Sequence, residues 1–79
     1  MKITIYGTAS CPYCVKAKEH ASTLPNAEIT YFDIHRDGIQ REELESLMGK
    51  PVRTVPQILV NDLPVGGYDD FLALTSTGA

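Results

Sequence analysis

The sequence contains no long apolar run, no dense basic stretch and only two cysteines. No segment of its 79 residues approaches the roughly 18–20 apolar residues that cross a bilayer. The first six residues alternate like a β-strand and do not form the apolar core of a signal peptide. Seven basic residues stand against ten acidic ones, for a net charge of −3. We therefore expect a soluble, cytoplasmic protein with neither a membrane nor a nucleic acid as its partner.

The two cysteines that are present, Cys11 and Cys14, lie three positions apart. A structural disulfide stabilises a fold by closing a long loop, and this pair would close almost none. In a short chain of the cytoplasm, such a pair is better interpreted as reactive or metal-binding.

The pattern of apolar residues, prolines and glycines predicts a single α/β domain over residues 1–79. Strands are predicted at residues 2–6, 28–34, 57–60 and 63–65, and helices at 12 to about 24, about 38–48 and from about 69. In the second helix, Leu44, Leu47 and Met48 form the predicted apolar stripe, and Gly49 is a plausible C-cap.

The connections between these elements predict the topology. The first two strands are joined by a helix, so they should be parallel with a right-handed crossover. Residues 61–62 form a tight turn between the last two strands, and Pro64 marks the last strand as an edge strand. The result is a mixed four-stranded sheet flanked by three helices, in the order β-α-β-α-β-β-α.

The cysteine pair falls where the first strand passes into the first helix. Pro12 occupies the first helical position, which places Cys11 at the N-cap. The partial positive charge and unpaired amides of the helix N-terminus favour a thiolate there, and the amides of Tyr13 and Cys14 are the expected donors. Cys11 is therefore predicted to be the attacking thiol and Cys14 to resolve the resulting mixed disulfide.

Two other interpretations of the cysteine pair fit the sequence less well. A zinc site would need His20 and His35 as further ligands, and their spacing fits no common zinc motif. If the cysteines were only buried packing residues, the Pro12 between them at a helix start would be a coincidence. His20 is better interpreted as a partly buried packing residue and His35 as an ordinary loop or strand-end residue.

Three motifs together resemble the glutaredoxins, most of all the short dithiol members of bacteria and phages. They are Cys11-Pro12-Tyr13-Cys14, Arg53-Thr54-Val55-Pro56-Gln57 and Gly66-Gly67-Tyr68-Asp69-Asp70. The resemblance covers nearly the whole chain and implies a thioredoxin-like fold.

The resemblance also implies a glutathione site. Val55–Pro56 would be a cis peptide bond facing the Cys11 sulfur, with Thr54 beside it and the Val55 backbone pairing with glutathione. The γ-glutamyl end would meet Gly67, Tyr68 and Asp69, while Tyr13 and Tyr6 would line the thiol. Many family members carry a Lys three residues before the first Cys. Here Thr8 takes that place, which leaves Arg53, or Lys50, to meet the glycine carboxylate of glutathione.

The resemblance implies a glutathione-dependent thiol–disulfide oxidoreductase without a tightly bound cofactor or metal. Its clients would be protein disulfides or glutathione mixed disulfides, with ribonucleotide reductase as a natural client in the family, and we expect a monomer. Two alternatives stay open, namely a relative reduced by thioredoxin reductase and a [2Fe–2S] carrier that binds its cluster through Cys11 and glutathione. Pro12 disfavours the second, because relatives that carry clusters mostly lack proline at this position.

Overall fold

The order of elements is visible in a computed structural model that describes residues 1–76, so residues 77–79 of the predicted domain lie outside it. The elements are β1 (Lys2–Gly7), α1 (Pro12–Ser22), β2 (Glu28–Asp33), α2 (Arg41–Met48), β3 (Gln57–Val60), β4 (Leu63–Gly66) and α3 (Tyr68–Ser76). The predicted β-α-β-α-β-β-α order is confirmed over these residues. None of the helices in this part of the chain has both the length and the apolar character of a membrane span.

The sheet has the strand order β2-β1-β3-β4. β1 runs parallel to β2, with Ile5 opposite Tyr31, and antiparallel to β3. β3 and β4 form the predicted antiparallel hairpin, which turns through Asn61 and Asp62, both at positive φ. The outer position of β4 confirms the edge strand that Pro64 predicted.

The two faces of the sheet are covered by different helices. On one face, α1 and α3 pack on the strands around the buried residues Ile3, Ile5, Ala17, Ala21, Ile58 and Phe71. On the other face, α2 contributes to a smaller buried cluster of Leu44, Met48, Val52 and Leu59. β1 is one of the two inner strands, and its successive side chains are accordingly buried on both faces.

The second helix differs from its prediction in two respects. It begins at Arg41, later than predicted, because Gly38 has a φ of 67°, which does not occur inside a right-handed helix. Leu47 was predicted to belong to the apolar stripe but is 45% exposed, while Leu44 and Met48, one turn apart, are buried. Gly49 adopts the left-handed C-cap conformation that was expected, with a φ of 71°.

Candidate active site

Cys11 caps the N-terminus of α1, as predicted. Its backbone is extended, its carbonyl accepts the first helical hydrogen bond from the Val15 amide at 3.1 Å, and Pro12 follows at the start of the helix. Its sulfur accepts a hydrogen bond from the Cys14 amide at 3.2 Å, one of the two amide donors that were expected. The Cys11 sulfur therefore lies at the positive end of the helix dipole, with a backbone amide directed at it.

The second thiol, that of Cys14, is in a different environment. Both cysteines are free thiols, but Cys14 is fully buried while Cys11 is partly accessible. Burial, and next the hydrogen bond to Cys11, raise the pKa of Cys14 from 9.0 to about 11. Cys14 therefore stays protonated at neutral pH, and solvent-borne disulfides reach Cys11 first.

A bend between α2 and β3 brings the backbone against the Cys11 thiol. The Val55–Pro56 peptide bond is cis, and Cys11 Sγ donates to the Val55 carbonyl at 3.7 Å. The side chain of Gln57 lies beneath this bend, largely buried, and its amide donates to the Thr54 carbonyl at 2.6 Å. Gln57 therefore holds the bend in place, a role that its position in the sequence motif did not reveal.

An open groove of about 550 Å³ runs from Tyr13 along this bend to the start of α3. Eight residues that were predicted to bind glutathione line it: Tyr13, Arg53, Thr54, Val55, Pro56, Gly67, Tyr68 and Asp69. The remaining lining residues, which the sequence did not single out for the site, are Pro51, Gln57, Asp70 and Lys50 (the last named only as a substitute cation).

The charges of the groove are segregated. Lys50 and Arg53 stand on the wall formed by the segment before β3, whereas Asp69 and Asp70 stand at the first turn of α3. The groove thus offers cations to one part of a ligand, and carboxylates together with helix amides to another.

Aromatic side chains form the part of the groove next to the helix α1. The rings of Tyr13 and Tyr68 lie 5.9 Å apart, and Lys16 Nζ lies 5.1 Å from the Tyr13 ring centre. Tyr13 is 55% exposed, so its ring offers an accessible apolar surface beside the thiols.

Thr8, which stands where many family members carry Lys, lies in a second cleft of about 270 Å³. Arg53 borders both this cleft and the main groove, and Arg41 also lines the cleft at the start of α2. The position of the missing cation therefore has two arginines beside it, of which only Arg53 was singled out from the sequence.

Tyr6, His20 and His35 lie outside the groove. Tyr6 was expected beside the thiol, but its ring stacks on Phe32 at 5.1 Å and packs on the α2 side of the sheet. His20 packs edge-on against Phe71, with Nε2 2.7 Å from the Thr75 hydroxyl, as expected of a packing residue. His35 is an exposed turn residue. Among the described residues, no three His, Cys, Asp or Glu side chains converge as candidate metal ligands.

Comparisons with known proteins agree with this geometry. The glutaredoxin family model matches residues 3–65. A glutaredoxin of Vibrio cholerae is 48% identical over 77 residues, covering 92% of this chain and 88% of the relative. Glutaredoxin 1 of Escherichia coli is 47% identical over 77 residues, covering 92% of this chain and 91% of the relative.

Solved structures give the same result. Reduced Escherichia coli glutaredoxin superposes with a TM-score of 0.89 at 44% identity, covering 98% of this chain and 95% of that one. A buckwheat glutaredoxin–glutathione complex has a TM-score of 0.79 at 22% identity, covering 96% of this chain and 69% of that one. This similarity shows that the two proteins share a fold. With the family model, the curated relatives and the dithiol at the helix start in agreement, this chain belongs to the glutaredoxin family and is a glutathione-dependent thiol–disulfide oxidoreductase.

Proposed function

We propose that Cys11 is the nucleophile and Cys14 the resolving thiol of this oxidoreductase. The observation that carries the proposal is the contrast between the two thiols. Cys11 is accessible and caps α1, whereas Cys14 is 0% exposed and lies behind it. A thiolate is the attacking species in thiol–disulfide exchange, so the stabilised and accessible thiol reacts first.

Two routes follow from this assignment. In the first, the Cys11 thiolate attacks the glutathione sulfur of a mixed disulfide and releases the client thiolate. A second glutathione thiolate then attacks the Cys11–glutathione disulfide, giving oxidised glutathione and free Cys11. In the second route, Cys11 attacks a protein disulfide, and Cys14 displaces the client from Cys11 by forming the Cys11–Cys14 disulfide. Two glutathione molecules reduce that disulfide again, so electrons balance in both routes.

Glutathione is proposed to lie in the groove between the bend and α3. Its γ-glutamyl carboxylate would meet the amides at the start of α3, and its ammonium would meet Asp69. Its cysteinyl backbone would pair with Val55, next to the Cys11 sulfur, as a short added strand. The glycine carboxylate would lie at the cationic wall, where Arg53 can hold it with two hydrogen bonds. The segregation of charges in the groove supports this orientation over the reverse one.

Glutathione is also the proposed electron donor in the cell, and disulfide-containing proteins are the proposed clients. Ribonucleotide reductase is the client that the family resemblance suggests. We further propose a monomer in the cytoplasm, where a reducing environment keeps such a dithiol available.

Two cysteine variants and two donor systems test the proposal. Cys14→Ser should keep the release of glutathione from mixed disulfides and lose most reduction of insulin disulfides, because only the second route needs Cys14. Cys11→Ser should lose both activities. The wild type should be turned over by glutathione with glutathione reductase, and not by thioredoxin reductase. Equal loss of the glutathione activity in the two variants, or a preference for thioredoxin reductase, would contradict the proposal.

A further inference from the structure

Tyr31, at the middle of β2, places its hydroxyl behind the dithiol, on the side away from the glutathione groove. The hydroxyl donates to the Thr8 carbonyl at 2.8 Å. The Cys14 thiol lies near this hydroxyl and is one cause of the raised pKa of Tyr31. The two groups meet over Gly7, where a methyl group would lie 2.6 Å from the Tyr31 oxygen and 2.7 Å from Cys14 Sγ. The absence of a side chain at Gly7 is therefore what allows this contact.

The surroundings of the Cys14 sulfur contain few groups that could stabilise a negative charge. The thiol is fully buried, and the groups that face it are Cys11, the Thr8 backbone and the Tyr31 hydroxyl. The last two favour the thiolate, while burial and Cys11 oppose it. When Cys11 is bound to a client in a disulfide, its thiolate charge is gone. The Thr8 backbone and Tyr31 then remain to stabilise a charge on Cys14.

We propose that Tyr31 is a positioning residue for the resolving step, in which its hydroxyl donates a hydrogen bond to the Cys14 thiolate. This inference rests on the proposed role of Cys14 as the resolving thiol. In the step, the Cys14 sulfur forms a bond to Cys11 Sγ while the bond between Cys11 Sγ and the client sulfur breaks. The client sulfur leaves with the electron pair and takes up the proton that Cys14 has lost, so the client is reduced and the dithiol is oxidised.

The hydroxyl of Tyr31 acts as a donor and not as a base. Burial, and next the nearby Cys14, raise the pKa of Tyr31 to about 12, so the phenol keeps its proton at neutral pH. Its single proton points to the Thr8 carbonyl in the reduced protein. Rotation about the C–O bond transfers this donor to Cys14 when the thiolate forms.

The charged and titratable groups around Tyr31 do not supply another donor to Cys14. Cys11 and Asp33 oppose ionisation of the phenol, and Lys18 Nζ stands over the ring, 5.3 Å from its centre. The Lys18 ammonium thus contacts the ring face by a cation–π interaction and not the hydroxyl end.

The test compares Tyr31→Phe with Tyr6→Phe, a matched loss of a hydroxyl from a half-buried strand tyrosine on the opposite side of the sheet. Tyr31→Phe should slow glutathione-driven reduction of insulin disulfides about tenfold, and Tyr6→Phe should leave it unchanged. Release of glutathione from a small mixed disulfide, measured in the Cys14→Ser background, should be the same with and without Tyr31→Phe. A second readout is the NMR titration of the labelled Cys14 Cβ in the Cys11→Ser background, where Tyr31→Phe should move the titration to higher pH.

The outcomes show whether Tyr31 acts on the resolving step or only supports the structure. If Tyr31→Phe slows glutathione release in the Cys14→Ser background as much as it slows insulin reduction in the wild-type background, or if the titration is unshifted, Tyr31 is only structural and the inference is overturned. If Tyr31→Phe reduces insulin at the wild-type rate, the inference is also wrong. Failure of the proposed function looks different, because Cys14→Ser alone would then retain the reduction of insulin.

Discussion

Replacing Gly7 by alanine adds one methyl group at the end of β1, directly behind the dithiol. The methyl carbon would lie 2.6 Å from the Tyr31 hydroxyl oxygen, and 2.7 and 2.9 Å from Sγ and Cβ of Cys14. Ordinary van der Waals contact begins at 3.4 Å, so all three atoms must retreat by at least half an ångström. Cys14 is fully buried on α1, and its Cβ cannot move without displacing the start of that helix.

The expected cost follows from two opposing contributions. Overpacking of a close-packed interior costs typically about 1–3 kcal/mol. Gly7 is not among the glycines at positive φ, so alanine also reduces the entropy of the unfolded chain and stabilises by about 0.4–1 kcal/mol. The net loss in the free energy of unfolding is about 1–2 kcal/mol. At about 4–8 °C per kcal/mol for a domain of this size, the melting temperature should fall by roughly 4–16 °C.

Gly67→Ala is the matched control, measured by thermal unfolding of the reduced proteins. Gly67 also lies outside the positive-φ set, and the nearest atom to its added methyl group is the Pro56 carbonyl oxygen at 3.7 Å. In this variant alanine lowers the entropy of the unfolded chain without introducing a clash, so its melting temperature should stay level or rise slightly. If Gly7→Ala melts at or above the temperature of Gly67→Ala, the close packing of Gly7, Tyr31 and Cys14 is not as described.

Two further predictions concern glutathione binding and pH. Arg53→Ala should raise the Michaelis constant for glutathione several-fold, up to about tenfold, and high salt should shrink the effect, whereas Arg36→Ala, the same charge change outside the groove, should have none. An unchanged constant in Arg53→Ala would place the glycine carboxylate elsewhere. The reduced protein should lose stability between pH 9 and 11, because the pKa of Cys14 is raised from 9.0 to about 11 and the unfolded chain releases that proton first. Urea unfolding across this range should show a loss of at most about 2–3 kcal/mol from Cys14, so the loss should be smaller in Cys14→Ala, where the raised pKa of Tyr31 still contributes. Parallel pH profiles of the wild type and the variant would refute this.

The fold was largely predictable because local signals mark its element boundaries. Pro12 at the first helical position, Gly49 at a C-cap and Pro64 in an edge strand each act through their own backbone constraints. The predicted start of α2 was wrong because a glycine such as Gly38 is compatible with both a helix and a left-handed turn. Gly38 adopts the left-handed conformation because residues 34–38 form a turn, which the hydrogen bond from the Ile39 amide to the Ile34 carbonyl closes at 2.9 Å.

The candidate site was predictable only through its motifs. No local pattern shows that segments around residues 13, 50–57 and 67–70 form one groove, because their proximity depends on the sheet order. Tyr31 shows the same limit more sharply. In the sequence it is an ordinary strand residue, and its contact with Cys14 exists because the register of β1 and β2 sets it beside Ile5, with the side-chain-free Gly7 next on that face.

The outer strand of the hairpin has a consequence for how copies of the chain behave at high concentration. An exposed strand edge with free amides is a template on which a second chain can add and fibrils can grow. β4 is only four residues long, Pro64 removes one amide donor, and the pairing with β3 shifts register between Ile58 and Leu59. Although Leu63 leaves an apolar side chain 69% exposed at this edge, an incoming strand would find an interrupted ladder. The short length, the proline and the register shift of β4 thus disfavour the addition of a second chain at this edge.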